Sequence, residues 1–267
     1  MSMRCDLLAA FSFAVSLSSG TAAQETYESC LANDKSRQYN AHCFQVQFVT
    51  YVDYSKWEDA VEACGPNGAP AAIPTDEIMK ELTLSFAPEG DGAWGPAKNE
   101  YIWTAFHSGT FGHSWGVMEG DVQWSVAQND IPWCAFRPIS DPSRRFLNVP
   151  VNVGQTSACY ADYVNTPIRT EKLFRRVVCQ YGKRDVFFKK WTSGRRMTSH
   201  KLDFRLFPPT EHSTGKCATI CKNIPICKSF SFSPPKDICD IHTAAPNEDG
   251  VTFANDDTFQ MWAKTLL

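Results

Sequence analysis

Ten of the eleven cysteines in this chain fall into two sets, and their spacing limits what it can fold into more than any other feature. Cys30, Cys43, Cys64, Cys134, Cys159 and Cys179 are spread widely. Cys217, Cys221, Cys227 and Cys239 form a tight second cluster, Cys-x3-Cys-x5-Cys-x11-Cys. The remaining one, Cys5, lies in a stretch that reads as an address. Met1-Ser2-Met3-Arg4 is a short basic start, Leu7 to Leu17 is mostly apolar, and Thr21-Ala22-Ala23 offers small residues for cleavage. Residues 1–23 are therefore expected to be a secretory signal peptide. Its apolar run is shorter than the ~20 residues that span a bilayer, and no later stretch is longer, so no membrane span is expected. Ten cysteines then remain, an even number, as paired disulfides in an oxidising compartment require. Zinc is the competing use of clustered cysteines, but the spacing differs from that of paired Cys-x-x-Cys knuckles. The expectation is a secreted, extracellular, disulfide-bonded protein.

Between the two sets runs "GKRDVFFKKWTSGRRMTSHKLDF", charged and free of cysteine. It divides the mature chain into two expected domains, 24–182 and 183–267. The net charge of −3 conceals an asymmetry. Gln24 to Phe136 carries five Lys/Arg against 16 Asp/Glu, and Arg137 to Arg196 carries 13 against four. Such a balance points to an anionic partner for the middle of the chain, or to two blocks that face each other or solvate a surface. Nucleic acid is excluded as a partner by the expected compartment and by the lack of overall basic character.

The first block opens with two helical patterns. In "DYSKWEDAVEAC", Ser55 and Glu58 are spaced as a capping box. Trp57, Ala60, Val61 and Cys64 succeed one another at i, i+3, i+4 and i+7, which predicts one buried face holding all four. In "PTDEIMKELTLSF", Thr75 reads as N-cap, Asp76 and Glu77 favour the positive end, and Ile78, Leu82 and Phe86 share a face. Short strand-like pieces come next, "YIWTAF", "DVQW" and "FRRVVCQY", among glycine- and proline-rich loops. Helices succeeded by short strands read as α+β.

The order of these pieces resembles a C-type lectin-like domain. A cysteine-opened strand, the helix with Trp57 and Cys64, the second helix, the "IWTAF" strand, Trp124, "ACYADY" and "VVCQY" carry the resemblance over about residues 30–181. It implies bridges Cys30–Cys43 and Cys64–Cys179. In the family a third bridge joins the "ACYADY" cysteine to one shortly before the last strand. Here Asn165 to Val178 contains no cysteine, so Cys134 is the only partner left for Cys159.

The resemblance also implies a test for calcium. Calcium-dependent members use Glu-Pro-Asn or Gln-Pro-Asp with a Trp-Asn-Asp on the next strand, and a sugar's hydroxyls complete the metal's oxygen shell. Calcium takes six to eight oxygens, with carboxylates supplying charge. The best matches here are Asp141-Pro142-Ser143 and Val164-Asn165-Thr166. An amide has become a hydroxyl, the strand carboxylate has become a threonine, and Arg144 and Arg145 come directly after. The motif is degraded, so no metal and no cofactor is expected at it. Arg144, Arg145, Arg169 and Lys172 are instead expected on the loop side of the domain, where guanidinium forks suit sulfate, phosphate or carboxylate. With Asp141 and Asn165 they make the candidate ligand set. They serve equally well to solvate a loop.

"CATICKNIPICKSFSFSPPKDICDI" resembles a PAN/apple domain, over about residues 185–264. The resemblance implies nested bridges Cys217–Cys239 and Cys221–Cys227 in a small α+β fold closed by "DTFQMWAK". PAN domains bind proteins or carbohydrates, so a protein partner through this module is a further expectation. The basic run Lys183, Arg184, Lys189, Lys190, Arg195 and Arg196 at its start extends an anionic-ligand surface or solvates a strand.

One motif argues for catalysis. "GHSWG" is a literal Gly-x-Ser-x-Gly, but the chemistry needs Ser114 on a strand-to-helix turn, with an acid and a histidine later. Neither a strand nor a helix of useful length flanks it in the pattern, and the next histidines, His200 and His212, lie in the other cysteine block. No enzyme is expected. The expectation is a lectin-like binding protein for glycan or glycoprotein, with an extracellular protein-interaction or matrix component without sugar affinity as the alternative.

Overall fold

The computed structural model describes residues 26–49, 55–72, 76–84, 99–107, 114–119, 122–127, 131–135, 144–151, 159–164, 172–183, 185–206 and 211–265. The first block contains α1 (Tyr27–Leu31), β1 (Arg37–Tyr39), β2 (His42–Phe48), α2 (Trp57–Ala63), β3 (Gly68–Pro70), α3 (Asp76–Leu84), β4 (Asn99–His107), β5 (Ser114–Glu119), β6 (Val122–Ala127), β7 (Arg144–Val151), β8 (Ala161–Val164) and β9 (Lys172–Gly182). The second contains β10 (Phe187–Met197), β11 (Lys201–Leu202), β12 (Phe204–Leu206), α4 (Thr214–Asn223), β13 (Ser229–Ser233), β14 (Ile238–His242) and β15 (Phe253–Thr265). The architecture is α+β and strand-rich.

The front sheet runs β1-β2-β9-β4-β5-β6-β12, with β3 on β9 and the β7–β8 pair on β4. β2 and β9 are antiparallel from His42↔Gly182 to Phe48↔Arg176, so the ends of the block are held side by side. Disulfides Cys30–Cys43 and Cys64–Cys179 fasten α1 to β2 and the end of α2 to β9, and Cys134–Cys159 joins two loop segments. Gly68 sits where an added Cβ would meet the Cys64 carbonyl oxygen and the Tyr181 ring of β9, each at 2.6 Å, so β3 passes between the end of α2 and β9 at a place only glycine fits.

The helices depart from their sequence pattern in two ways. Ser55 lies one residue ahead of the α2 N-cap, which is Lys56. The serine is buried, and its Oγ accepts the Trp103 indole N–H at 3.0 Å. The cap role falls to Asp59, whose carboxylate accepts the Lys56 N–H at 2.7 Å. Val61 is exposed, because α2 is only two turns long and its buried side narrows to Ala60 and Cys64, with Trp57 half-buried. In α3, Ile78, Met79 and Leu82 are buried in the core. Thr75 and Phe86 lie outside the described residues. Replacing Asp59 by alanine is expected to lower unfolding free energy by about 1 kcal/mol, the usual worth of a cap, as read from the denaturant midpoint.

The second sheet runs β10-β15-β13-β14-β11, and α4 packs against β13 and β14. Cys217–Cys239 ties α4 to β14, and Cys221–Cys227 ties it to the adjoining turn. Ser213 caps α4 by accepting the Lys216 N–H at 3.1 Å. On the helix side, Phe230 stacks on Trp262 and meets Phe188 edge-on.

The two sheets meet closely. β12, from the second block, pairs with β6 through Phe204↔Trp124 to Leu206↔Val122, so it completes the front sheet. Asn40 Nδ2 donates to the carbonyls of Pro225 and Cys227, at 3.1 and 2.8 Å. His42 is buried beside this contact. Burial pushes its imidazole down to about 3, Lys264 and Lys222 add to that shift, and the Asn223 backbone opposes it.

Candidate functional site

Of the six residues expected to hold ligand in the first block, Asp141, Asn165 and Arg169 lie outside the described residues. Arg144 opens β7 opposite Val164. Arg145 is next along the strand, with an exposed side chain. Lys172 opens β9 opposite Asn99, while Glu100 pairs with Val151 at the far end of β7. Seven strand residues separate the two ends, ~23 Å at ~3.3 Å each. The backbone positions of Arg144 and Lys172 therefore lie towards opposite ends of β7, a separation the sequence could not reveal without the strand register. Ser114 opens strand β5 and pairs with Ala127, so the chain after this serine is extended and lacks the helix that a nucleophile elbow needs.

The second sheet holds a set of polar groups that invites a catalytic reading. Ser231 Oγ and His242 Nε2 are 3.1 Å apart, and Asp240 stands opposite Ser231 across the β13–β14 ladder. Three facts oppose it. Ser231, His242 and Asp240 are all buried from solvent. His242 Nδ1 faces the Ser199 carbonyl at 3.3 Å and not Asp240. Asp240 is instead held between Arg196 and Lys201, each at 2.6 Å. Burial alone would raise the Asp240 carboxyl, but the hydrogen bonds from Arg196 and Lys201 outweigh it and leave it below its ordinary value. Burial pushes the His242 imidazole down to about 4. This is a satisfied structural network in the sense that buried polar groups demand.

Strand β10 presents a different face. It lies at the edge of its sheet, and Phe187, Lys189, Lys190, Trp191 and Arg195 are exposed along it. Trp191 stacks on Phe253 of β15, centroids 5.5 Å apart and planes 13° apart. The Arg195 guanidinium lies 6.0 Å from the same Phe253 ring. Arg196, its neighbour in the basic run, turns inward to Asp240. The basic residues were visible in the sequence. The aromatic pair among them was not, because it joins residues of neighbouring strands that are far apart in sequence.

No described helix is long and apolar enough to cross a membrane. No family model matches the chain, and no curated protein does. Among solved structures, herring type II antifreeze protein is similar at 20% identity and a TM-score of 0.37, over 56% of this chain and 97% of that one. Human lithostathine is similar at 17% identity and 0.37, over 61% and 99%. CEL-IV is similar at 16% and 0.35, over 55% and 92%. These neighbours are C-type lectin-like domains. Likeness at these scores concerns fold over a little more than half of the chain, and it carries no argument about ligand.

Proposed function

We propose that this chain is a secreted binding protein that holds a glycan or glycoprotein through its front body, without calcium at the degraded motif. The second body, read as a PAN-type module, adds a second contact. One observation carries the reading. The front body is a covalently closed frame, with Cys64 bridged to Cys179 and β2 laid along β9, and it carries cationic residues, Arg144 and exposed Arg145, where the β7–β8 pair opens. Guanidinium groups recognise sulfate and carboxylate by paired N–H donation, which needs no divalent ion. Asp141, Asn165, Arg169 and Lys172 belong to this reading on sequence grounds alone. Five disulfides support an oxidising compartment. Two linked modules raise avidity through effective concentration.

A glycan array probed with the full chain, with and without chelator, tests this. Acidic glycans retained equally in both conditions are the expected result. Binding abolished by chelator would return calcium to the mechanism. Silence in both conditions would favour a protein partner alone.

A further inference from the structure

We infer that the β10–β15 edge of the second sheet is a binding site for an anionic polysaccharide, with Trp191 as stacking platform and Arg195, Lys189 and Lys190 as its charge contacts. This site is separate from the front loops and does not rest on their function.

Three observations carry it. Trp191 and Phe187 are 44% and 54% exposed, on a strand whose other aromatic, Phe188, turns into the core. Large apolar side chains left at the surface in company mark places where something docks. Trp191 is also held in place, because its ring is backed by Phe253 at 5.5 Å, and Phe253 in turn packs against the buried cluster of Met197, Ala244 and Met261. A ring fixed before binding costs little order on association. Finally, Lys189, Lys190 and Arg195 have no carboxylate within ion-pair distance among the described residues, whereas Arg196, Lys201, Lys228 and Lys236 are all engaged. Two acids stand near, Asp185 before the strand and Asp257 beside Gly194, and they leave the strand itself cationic.

The chemistry selects the occupant. The C–H face of a sugar ring stacks on the Trp191 indole, and its sulfate or carboxylate groups then meet the Arg195 guanidinium beside Phe253 and, along the exposed strand, the ammonium groups of Lys189 and Lys190 on its two faces. Lys189 to Arg195 spans ~20 Å at ~3.3 Å per residue, room for several sugar rings in a row. An extended peptide added to this edge is the competing occupant. Register breaks between Lys190 and Thr192 and between Ser193 and Arg195, with Gly194 at φ +78°, disrupt the ladder such a peptide would need.

The test is calorimetry of the full chain with a heparin hexasaccharide, its desulfated form and phosphatidylserine vesicles, all with chelator present. Binding of the sulfated form, weakened by salt, is expected. Trp191→Ala and Arg195→Ser are each expected to weaken it about tenfold, as anchors at a binding surface do. Trp191→Phe, which keeps an aromatic face, is expected to retain most of it. Circular dichroism checks that each variant is folded. The site is overturned if the hexasaccharide does not bind, if it binds without regard to the two substitutions, or if Trp191→Phe fails as fully as Trp191→Ala. Binding to vesicles alone also overturns it. The front-body reading is judged separately, by whether the Trp191→Ala/Arg195→Ser double variant still binds on the glycan array.

Discussion

Replacing Cys64 and Cys179 together by alanine is expected to unfold the front body at physiological temperature. The bridge closes a loop with a sequence separation of 115 residues and joins the end of α2 to a buried position on β9. In the chain-entropy view, such a loop restrains the unfolded chain by ~5 kcal/mol. That is as large as the whole stability of many domains, about 5–15 kcal/mol. Cys64 and Cys179 sit with Tyr27, Ala60, Trp103 and Tyr181 in one buried cluster, so the bridge also fixes α2 against this part of the core. The double variant should lose its cooperative thermal transition, or show it lowered by tens of degrees. By the same measure, loss of Cys221–Cys227, separated by only six residues, should cost much less. If the Cys64/Cys179 variant keeps the wild-type midpoint, the frame does not depend on its bridge.

Acid is expected to destabilise the protein well before its carboxylates titrate. His42 and His242 are both buried, and both imidazoles are pushed below the ordinary 6.5, to about 3 and about 4. Burial is the chief cause in each. Lys264 and Lys222 face His42, while His242 is supported by Asp240 and the Ser199 backbone and opposed by Lys201 and Arg196. A group with a depressed folded value favours the unfolded chain as protons become available. The stability these histidines allow is therefore complete above pH 6.5 and falls as pH drops towards their folded values. Each loses about 1.4 kcal/mol per pH unit, so the pair should cost roughly 5 kcal/mol by pH 4.5. Asp240 does not confuse this window, since its lowered carboxyl begins to act only below its ordinary value of 3.8. Denaturant midpoints from pH 7.5 to 4.5 should fall steeply in the wild type, and each of His42→Gln and His242→Gln should remove about half of the slope. A slope untouched by both substitutions would mean that neither ring is buried neutral. Because His42 lies where β2 meets the end of α4, its share should also appear as an opening between the two bodies.

Much of the frame was legible from residues alone, for reasons that differ by element. Cysteine spacing separates two cross-linked sets, since all five bridges stay within them, and "YIWTAF", "VQW" and "FRRVVCQY" lie within β4, β6 and β9. β-branched and aromatic runs declare strands locally. The α2 cap was misplaced because Ser55 obeys a partner on β4, the Trp103 indole, which no local pattern contains. Val61 matched the helical period yet is exposed, because no described residue covers that side of so short a helix. β12 crossing to β6 was invisible for the same reason, being a pairing between blocks. The candidate site shows the sharpest contrast. The basic run could be read directly, but not which members turn inward. Arg196 is committed to Asp240, while Arg195 stays out beside Phe253, and only the register of β10 against β15 makes that division.

Peptide mapping of the purified protein under non-reducing conditions tests most directly whether two separately cross-linked sets of cysteines make up this molecule. Five linked pairs are predicted, Cys30–Cys43, Cys64–Cys179, Cys134–Cys159, Cys217–Cys239 and Cys221–Cys227. A linkage between any of the first six of these cysteines and any of the last four would contradict the account.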